Sequence, residues 1–433
     1  MRPGPAVRWD VLEEHLDEAG FLHQQWEDAL RSPLYTLAEI ASGPEERMLA
    51  HADGLVLAGA PAVEWLLVPA LAGEDLDLAF AAAFALLGGE RAEALEAVLE
   101  TLRMADPPRR ATLRRALALA PWAELGPRLV ERARRDASLA DDLLEVLGDR
   151  GVDPGAPLES LAGSNEPRRE ALALRLARAF PGRLDPLAVA RALRAPAPEV
   201  RAAALETALV TAPRGAMAAC RDAVAAGGPG LETAALLLAL SGQEGSVEAL
   251  LSALGREEQR RPAAFALGFT GSVAAADALL AAMDDDALAP LAAEGFAAIT
   301  GLVVEKRFAL RRAAGAPGPE GEEEVAAEEA PPGPEGDLPV PAPEALAAWW
   351  KETRGRLDPA RRWLRGRAWA VPELLRELEQ GPARRRAALA LDLEIRARGQ
   401  LRVSWDALTA RQQEQLAAAR AGAGKISPRP YPA

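Results

Sequence analysis

Apolar residues in this chain recur at helical spacing, and the runs they form stop at regular intervals. In AAFALGFTG, Ala264, Leu267 and Gly268 share one helical face, and in ADALLAAM, Ala278, Leu279 and Met283 fall close to one face of the next helix. The first run ends on Gly271. The following residues repeat the pattern and end on Gly301. Earlier runs of the same kind end on Gly242, Ala212, Gly182, Gly151, Pro121 and Gly89, so successive stops lie 29 to 32 residues apart over eight units. A period near thirty residues is the mark of stacked repeats. Glycine suits the stops because it takes the left-handed conformation that ends a helix without steric cost. Each unit reads as two helices joined by a short polar turn, and such a pair buries both faces only by stacking on its neighbours. The predicted fold is all-α: an α-solenoid of HEAT-like helix pairs with few strand-forming segments.

The pattern divides the chain into four parts. Residues 1–60 read as a helical N-terminal cap, out of phase with the repeats, which follow over 61–314. Residues 315–343 are rich in Pro, Gly and Glu and read as an acidic, self-repelling linker. Residues 344–433 return to apolar-patterned helices, including RRRAALALDLEIRAR, before the tail AGAGKISPRPYPA, which is expected to fray. The stretch Leu55–Gly73 is about long enough to cross a bilayer, but Glu64 at its centre and Pro61 and Pro69 within it favour buried helices of a soluble protein. The start of the chain has no apolar signal core. A cytoplasmic protein is the expectation. A single cysteine, Cys220, excludes an intramolecular disulfide and a zinc site built on several thiolates.

Charge is unevenly placed. From Lys351 onward 18 Lys and Arg face 9 Asp and Glu, a balance of +9, which leaves −23 over Met1–Trp350. Such an acidic body argues against a nucleic-acid partner.

Candidate chemistry is sparse. His15 and His23 are eight residues apart on one helix, a rise of about 12 Å, too far for one metal ion with bonds of about 2 Å; helix packing accounts for them. His51 and Asp53 form an H-x-D pair, the only weak candidate for a polar site, and an Asp/Gly helix end has the same appearance. No catalytic residue, cofactor site or metal site is indicated. Trp349 and Trp350 are the most distinctive pair, as anchors for a partner protein or for docking the C-terminal region onto the repeats. In the docking arrangement one indole packs near Phe296 and Ile299, while Arg361, Arg362 and Arg365 face acidic residues or solvent.

The period with its AAFALGFTG-like turns resembles the HEAT-like repeats of phycocyanobilin lyases. More of the chain resembles an uncharacterised family of bacterial HEAT-repeat proteins, through EHLDEAGFLHQQWEDALRSPLYTLAEI, ERMLAHADGLVLAG, AAEGFAAITGL and DLPVPAPEALAAWWKETRGRLDPARRWLRGRAW. Genes of that family often lie near type VI secretion genes. The resemblance therefore implies a non-enzymatic protein-binding scaffold, a cytoplasmic adaptor or chaperone for a secreted effector or secretion component. The alternatives are an immunity protein that sequesters a toxin, or an enzyme of the HEAT-like lyase or HEAT-fold DNA glycosylase type. No membrane partner and no particular oligomeric state is implied.

Overall fold

The computed structural model describes residues 7–161, 164–211, 214–310 and 335–432. The linker expected over 315–343 lies outside the described residues up to position 334.

The chain is an all-α solenoid wound around its own C-terminal region. The cap is α1 (Trp9–Ala29), α2 (Leu37–Ala58) and α3 (Ala60–Leu71), the last two meeting at a 101° bend. Among the described residues no single helix is long and apolar enough to cross a membrane. Each repeat then supplies a first-layer and a second-layer helix. In chain order these are α4 (Leu76–Gly88), α5 (Ala92–Met104), α6 (Pro107–Leu119), α7 (Leu125–Arg135), α8 (Ala140–Arg150), α9 (Ala156–Leu161), α10 (Pro167–Ala179), α11 (Pro186–Ala192) and α12 (Pro198–Thr211). They continue as α13 (Ala216–Ala226), α14 (Leu231–Ser241), α15 (Ser246–Leu254), α16 (Arg260–Leu267), α17 (Val273–Ala282) and α18 (Ala289–Thr300). The even-numbered helices from α4 to α18 pack each on the next, forming one continuous layer. α19 (Pro343–Thr353) packs beside α17, where the eighth unit lacks a second-layer helix of its own.

Local sequence explains these elements. Asp75, Asp106, Asp185 and Ser272 accept backbone N–H groups at helix starts, and proline occupies the first turn of α6, α10 and α11. α4 is buried on every side from Ala79 to Leu87 because it is packed between neighbours in its own layer and the second layer. By contrast, α7 keeps Arg128, Glu131 and Arg135 on an outer face. Gly151, Gly182, Gly242, Gly271 and Gly301 have φ between 65° and 95°, in the left-handed region. Gly89 does not share it: its φ is −75°, and the left-handed turn falls instead on Glu90.

After α19 the chain forms a two-residue hairpin, β1 (Trp363–Leu364) with β2 (Arg367–Ala368), then α20 (Val371–Gln380), α21 (Ala383–Arg396) and α22 (Thr409–Ala421). α21 serves as an axle. Its backbone N–H groups at Ala383 and Arg384 donate to Tyr35 and Ser32 of the cap. Arg385 pairs with Glu294 at 2.7 Å, Glu394 lies 3.6 Å from Arg178, and Arg396 donates to the Leu240 carbonyl. The loop beyond α21 then runs back past the repeats. Gly399 abuts Pro181 and Val210, Arg402 reaches the Gly148 carbonyl, and the Asp406 carbonyl accepts from Arg115. Thr409 ends the return on Glu45 of α2.

Two expectations for this region need correction. Arg362, half-buried, makes no ion pair among the described residues and spends its guanidinium on backbone carbonyls instead. It donates to the carbonyls of Thr270, Leu240 and Phe269, at the ends of α14 and α16. Those carbonyls have no partner within their own helices, and the negative end of each helix dipole favours a cation there. The C-terminal tail is pinned, not frayed. Tyr431 is buried, its N–H donates to Ser241, and its hydroxyl donates to Asp392 at 2.6 Å. Arg361 pairs with Asp358 at 3.5 Å and Arg365 with Glu377 at 3.5 Å.

Candidate functional site

The tryptophan pair lies inside the stack. Trp350 is 4% exposed, its ring edge-on to Phe296 at 5.2 Å, and its Nε1 donates to Asp277 at 2.7 Å. Arg354 donates to the same carboxylate, and together with Trp350 it holds Asp277 below the usual carboxylate range. Trp349 is half-buried beside Trp350, with Phe296 at 6.2 Å and Phe308 at 6.4 Å. Both rings therefore fasten α19 to the last repeat.

The tryptophan most open to solvent is elsewhere. Trp65 is 69% exposed and Leu57 is 86% exposed, with Val68 on the same face of α3 as Trp65. This corrects the reading of Leu55–Gly73 as wholly buried. Leu55, Ala62, Leu67 and Leu71 do face the core, but the opposite face of the bent pair presents apolar side chains.

His51 and Asp53 do not act as a pair. His51 Nδ1 lies 3.0 Å from His15 Nδ1, one ring donating and the other accepting, and Asp53 is exposed. Gly54 makes this approach possible, since a Cβ there would stand 3.1 Å from the His15 ring. His23 is separate. It stacks on Phe80 at 3.3 Å between centroids, and burial, aided by Arg115, pushes its pKa down to about 3. The folded protein thus refuses a proton that the unfolded chain accepts below pH 6.5. The contribution is complete above 6.5 and is lost as pH falls toward 3. Each pH unit in that window is worth about 1.4 kcal/mol. Denaturant unfolding at pH 6.5 and pH 5 should show a loss of about 2 kcal/mol from this group, absent in His23→Leu. An unchanged acid loss in the variant would assign the effect to other groups.

The constellation that sequence reading missed is at the centre, between the first layer and α21. A chamber of about 330 Å³ is lined by Asp149 at the end of α8, Arg178 of α10, Glu206 of α12, Glu394 of α21, and Arg402 and Trp405 of the following loop. Glu206, Leu236, Ala387 and Trp405 also line an adjoining groove of about 770 Å³, which carries Phe265, Arg261 and Glu232. Arg178 hydrogen-bonds Glu206. Burial raises the Glu206 carboxyl above its usual range; Arg178 opposes the shift and Glu394 adds to it. Asp149 lines the chamber and is exposed to solvent. The protein packed around it raises its carboxyl, Asp406 and Glu145 push the same way, and Arg402 and Arg115 oppose. Glu394 is 4% exposed, and its Oε1 accepts no hydrogen bond. These residues come from five distant segments, so no spacing in the sequence joins them. The one visible signal is the set of charges inside LALDLEIR, which sit on more than one face of an otherwise apolar helix.

No protein-family model matches the sequence, and no curated protein is similar to it. Among solved structures the chain is similar to the complex of CpcE and CpcF of phycocyanin lyase from Nostoc sp. PCC7120, at 18% identity over 53% of this chain and 85% of that one, with a TM-score of 0.28. It is also similar to human deoxyhypusine hydroxylase in complex with glycerol, at 19% identity over 68% of this chain and 99% of that one, with a TM-score of 0.20. Neither likeness is close enough to bear on function.

Proposed function

We propose that the protein is a non-enzymatic scaffold that binds a partner protein through the exposed corner between α2 and α3. The observation that carries this reading is Trp65, 69% exposed beside Val68, with Leu57 almost fully exposed at the bend. A tryptophan held on a rigid helix contributes a large apolar area at small entropic cost when a partner covers it. Asp53, Glu64 and Glu74 are exposed around the corner, and the first 350 residues carry −23. The partner's surface should therefore combine an apolar pocket with a basic rim. The sequence resemblance points to a cytoplasmic setting and to a type VI effector or secretion component as that partner.

The test is co-purification of the tagged full-length chain from cells that express a type VI cluster, compared with the Leu57→Ala/Trp65→Ala variant. A stoichiometric partner should accompany the parent protein, and the variant should bind it at least tenfold more weakly while unfolding at the same denaturant concentration. Recovery of no stoichiometric partner, or equal recovery by the variant, would sink the reading.

A further inference from the structure

The groove of about 770 Å³ does not end at α16. Glu232, Thr233, Glu258 and Pro262 line it and also line a second trough, of about 520 Å³, that continues past the starts of α14 and α12. The two form one furrow across three successive first-layer helices, α12, α14 and α16, which pack each on the next. Its wider end is apolar. Leu236, Phe265 and Trp405 are half-buried there, together with the buried Leu30 and Leu291. Arg31, Arg261 and Arg384 stand at the same end, but each already holds a carboxylate of this chain: Arg31 holds Glu27, and the other two hold Glu335. The narrower end differs. Its charged lining is Glu199, Glu232 and Glu258, and among the described residues no cation lines it. All three are exposed, and none makes an ion pair among the described residues. Each comes from a different repeat. Glu199 is in the first turn of α12, Glu232 in the first turn of α14, and Glu258 in the turn before α16. Complementing the helix dipole accounts for a carboxylate at each start, but not for the open furrow beside it. The turn Gly227–Gly230 leaves that space: its three glycines, at φ of 71°, 80° and 91°, send no side chain into it.

We propose that this furrow binds an extended basic segment of a partner protein, in polyproline II conformation, with Lys or Arg at every third position and an apolar residue beyond the last of them. The sign of the charge follows from three carboxylates that nothing in the chain neutralises. The conformation follows from their spacing. Packed helix axes lie about 8–10 Å apart, so equivalent residues of successive repeats recur at about that interval. A polyproline II segment returns to the same face every three residues, after about 9.3 Å. A strand does so after about 6.7 Å and a helix after about 5.4 Å, and both would be out of step by the third carboxylate. Past α16 the segment reaches Phe265 and Trp405, where an apolar side chain finds aromatic walls. The furrow shares no residue with the corner of α2 and α3, so this inference and the reading of Trp65 stand or fall separately.

Fluorescence anisotropy of the full-length protein with the labelled peptide LPPKPPKPPKPPL tests the proposal; the spacing of this peptide reads the same in both chain directions. Two further peptides serve as controls: LPPQPPQPPQPPL removes the charge, and LPPPPKKKPPPPL keeps the composition but bunches it. Saturable one-to-one binding of the first peptide is expected. The neutral peptide should bind at least tenfold more weakly and the bunched one several-fold more weakly. Raising the salt from about 0.1 M to about 1 M shortens the Debye length from about 10 Å to about 3 Å, and should weaken binding of the first peptide toward that of the neutral one. Glu199→Gln, Glu232→Gln and Glu258→Gln should each cost several-fold in affinity, and the triple variant at least tenfold. Glu14→Gln removes an exposed carboxylate of α1 that lies outside the furrow and should leave affinity unchanged, which separates local contacts from the net charge of −14. Since all the substituted side chains are exposed, the variants should unfold at the denaturant concentration of the parent. Absence of saturable binding, equal binding of the neutral peptide, or affinity unchanged in the triple variant would overturn the proposal. Equal binding of the bunched peptide would overturn the three-residue register on which the proposed conformation rests.

Discussion

Glu45→Ala should lower the unfolding free energy by about 3–5 kcal/mol, one of the two largest effects expected of any single change in this chain. Glu45 is buried at the end of a π-turn, Ala41–Glu45, that interrupts α2 at Pro44. Three donors converge on its carboxylate: Trp26 Nε1 at 2.8 Å, the Thr409 N–H at 2.9 Å and the Thr409 hydroxyl at 2.5 Å. Burial outweighs these donors and raises the carboxyl above its usual range. Truncation leaves all three donors buried without an acceptor, and each orphan costs about 1–3 kcal/mol. The contact also closes the molecule, because it ties α2 to the start of α22 across 364 positions of sequence. Amide exchange should therefore accelerate over α22 more than over α14 or α16, which keep their own neighbours. Thr409→Val removes one donor with its partner still served by the other two, and should cost about 1 kcal/mol. Equal costs for the two variants, or exchange that accelerates evenly along the stack, would show that the junction holds nothing in place.

This junction also marks where sequence reading stops. The thirty-residue period was legible because each unit's contacts are with the unit before and after it, so every unit must repeat the same apolar face and the same stop. The C-terminal region obeys no such rule. Along α21, Arg385, Asp392 and Arg396 share a face, but Arg386 and Glu394 point about 100° and 180° away from Arg385. A helix with charges spread in this way has no face to give to water. Each charge here meets a different neighbour: Arg385 meets Glu294, Arg386 the Leu378 carbonyl, Arg396 Asp392 and Leu240, and Glu394 Arg178. The +9 balance after Lys351 has a related explanation. Arg362, Arg396 and Arg402 donate to carbonyls at or near the ends of first-layer helices, a role that needs cations but no carboxylate partners. The chamber follows from the same closure and could not be seen before α21 was placed. The tryptophans divide similarly. Trp349 and Trp350 were conspicuous as neighbours in sequence, yet the most exposed indole is that of Trp65, which lies in a run apolar enough to look buried on every side.

Gly301→Ala should cost about 3–5 kcal/mol, and Gly182→Ala only about 1–2 kcal/mol, although both glycines are left-handed, at φ of 77° and 95°, Gly301 as the cap of α18 and Gly182 in the turn just beyond α10. The conformational penalty is common to the two. The difference is what passes overhead. A Cβ at Gly182 would meet no atom within 4 Å, whereas one at Gly301 would stand 2.5 Å from the Arg365 carbonyl oxygen and 2.7 Å from its carbon. Backbone cannot rotate aside as a flexible side chain can, so the hairpin of β1 and β2 must lift. Lifting it strains the bonds from Trp363 N–H to Gly271, from Arg365 N–H to Ala298 and from Gly366 N–H to Ile299, at 2.8, 2.8 and 2.9 Å. Arg362, anchored one residue before the hairpin, would lose its geometry on the Thr270 and Leu240 carbonyls as well. Urea unfolding of the two variants gives the comparison directly, and amide exchange at Trp363, Arg365 and Gly366 locates it. Exchange at those three positions should rise in Gly301→Ala and stay unchanged in Gly182→Ala. Two variants of equal stability would mean that glycine at position 301 serves only to end its helix, and that the hairpin rests on the repeat without depending on the space the glycine leaves.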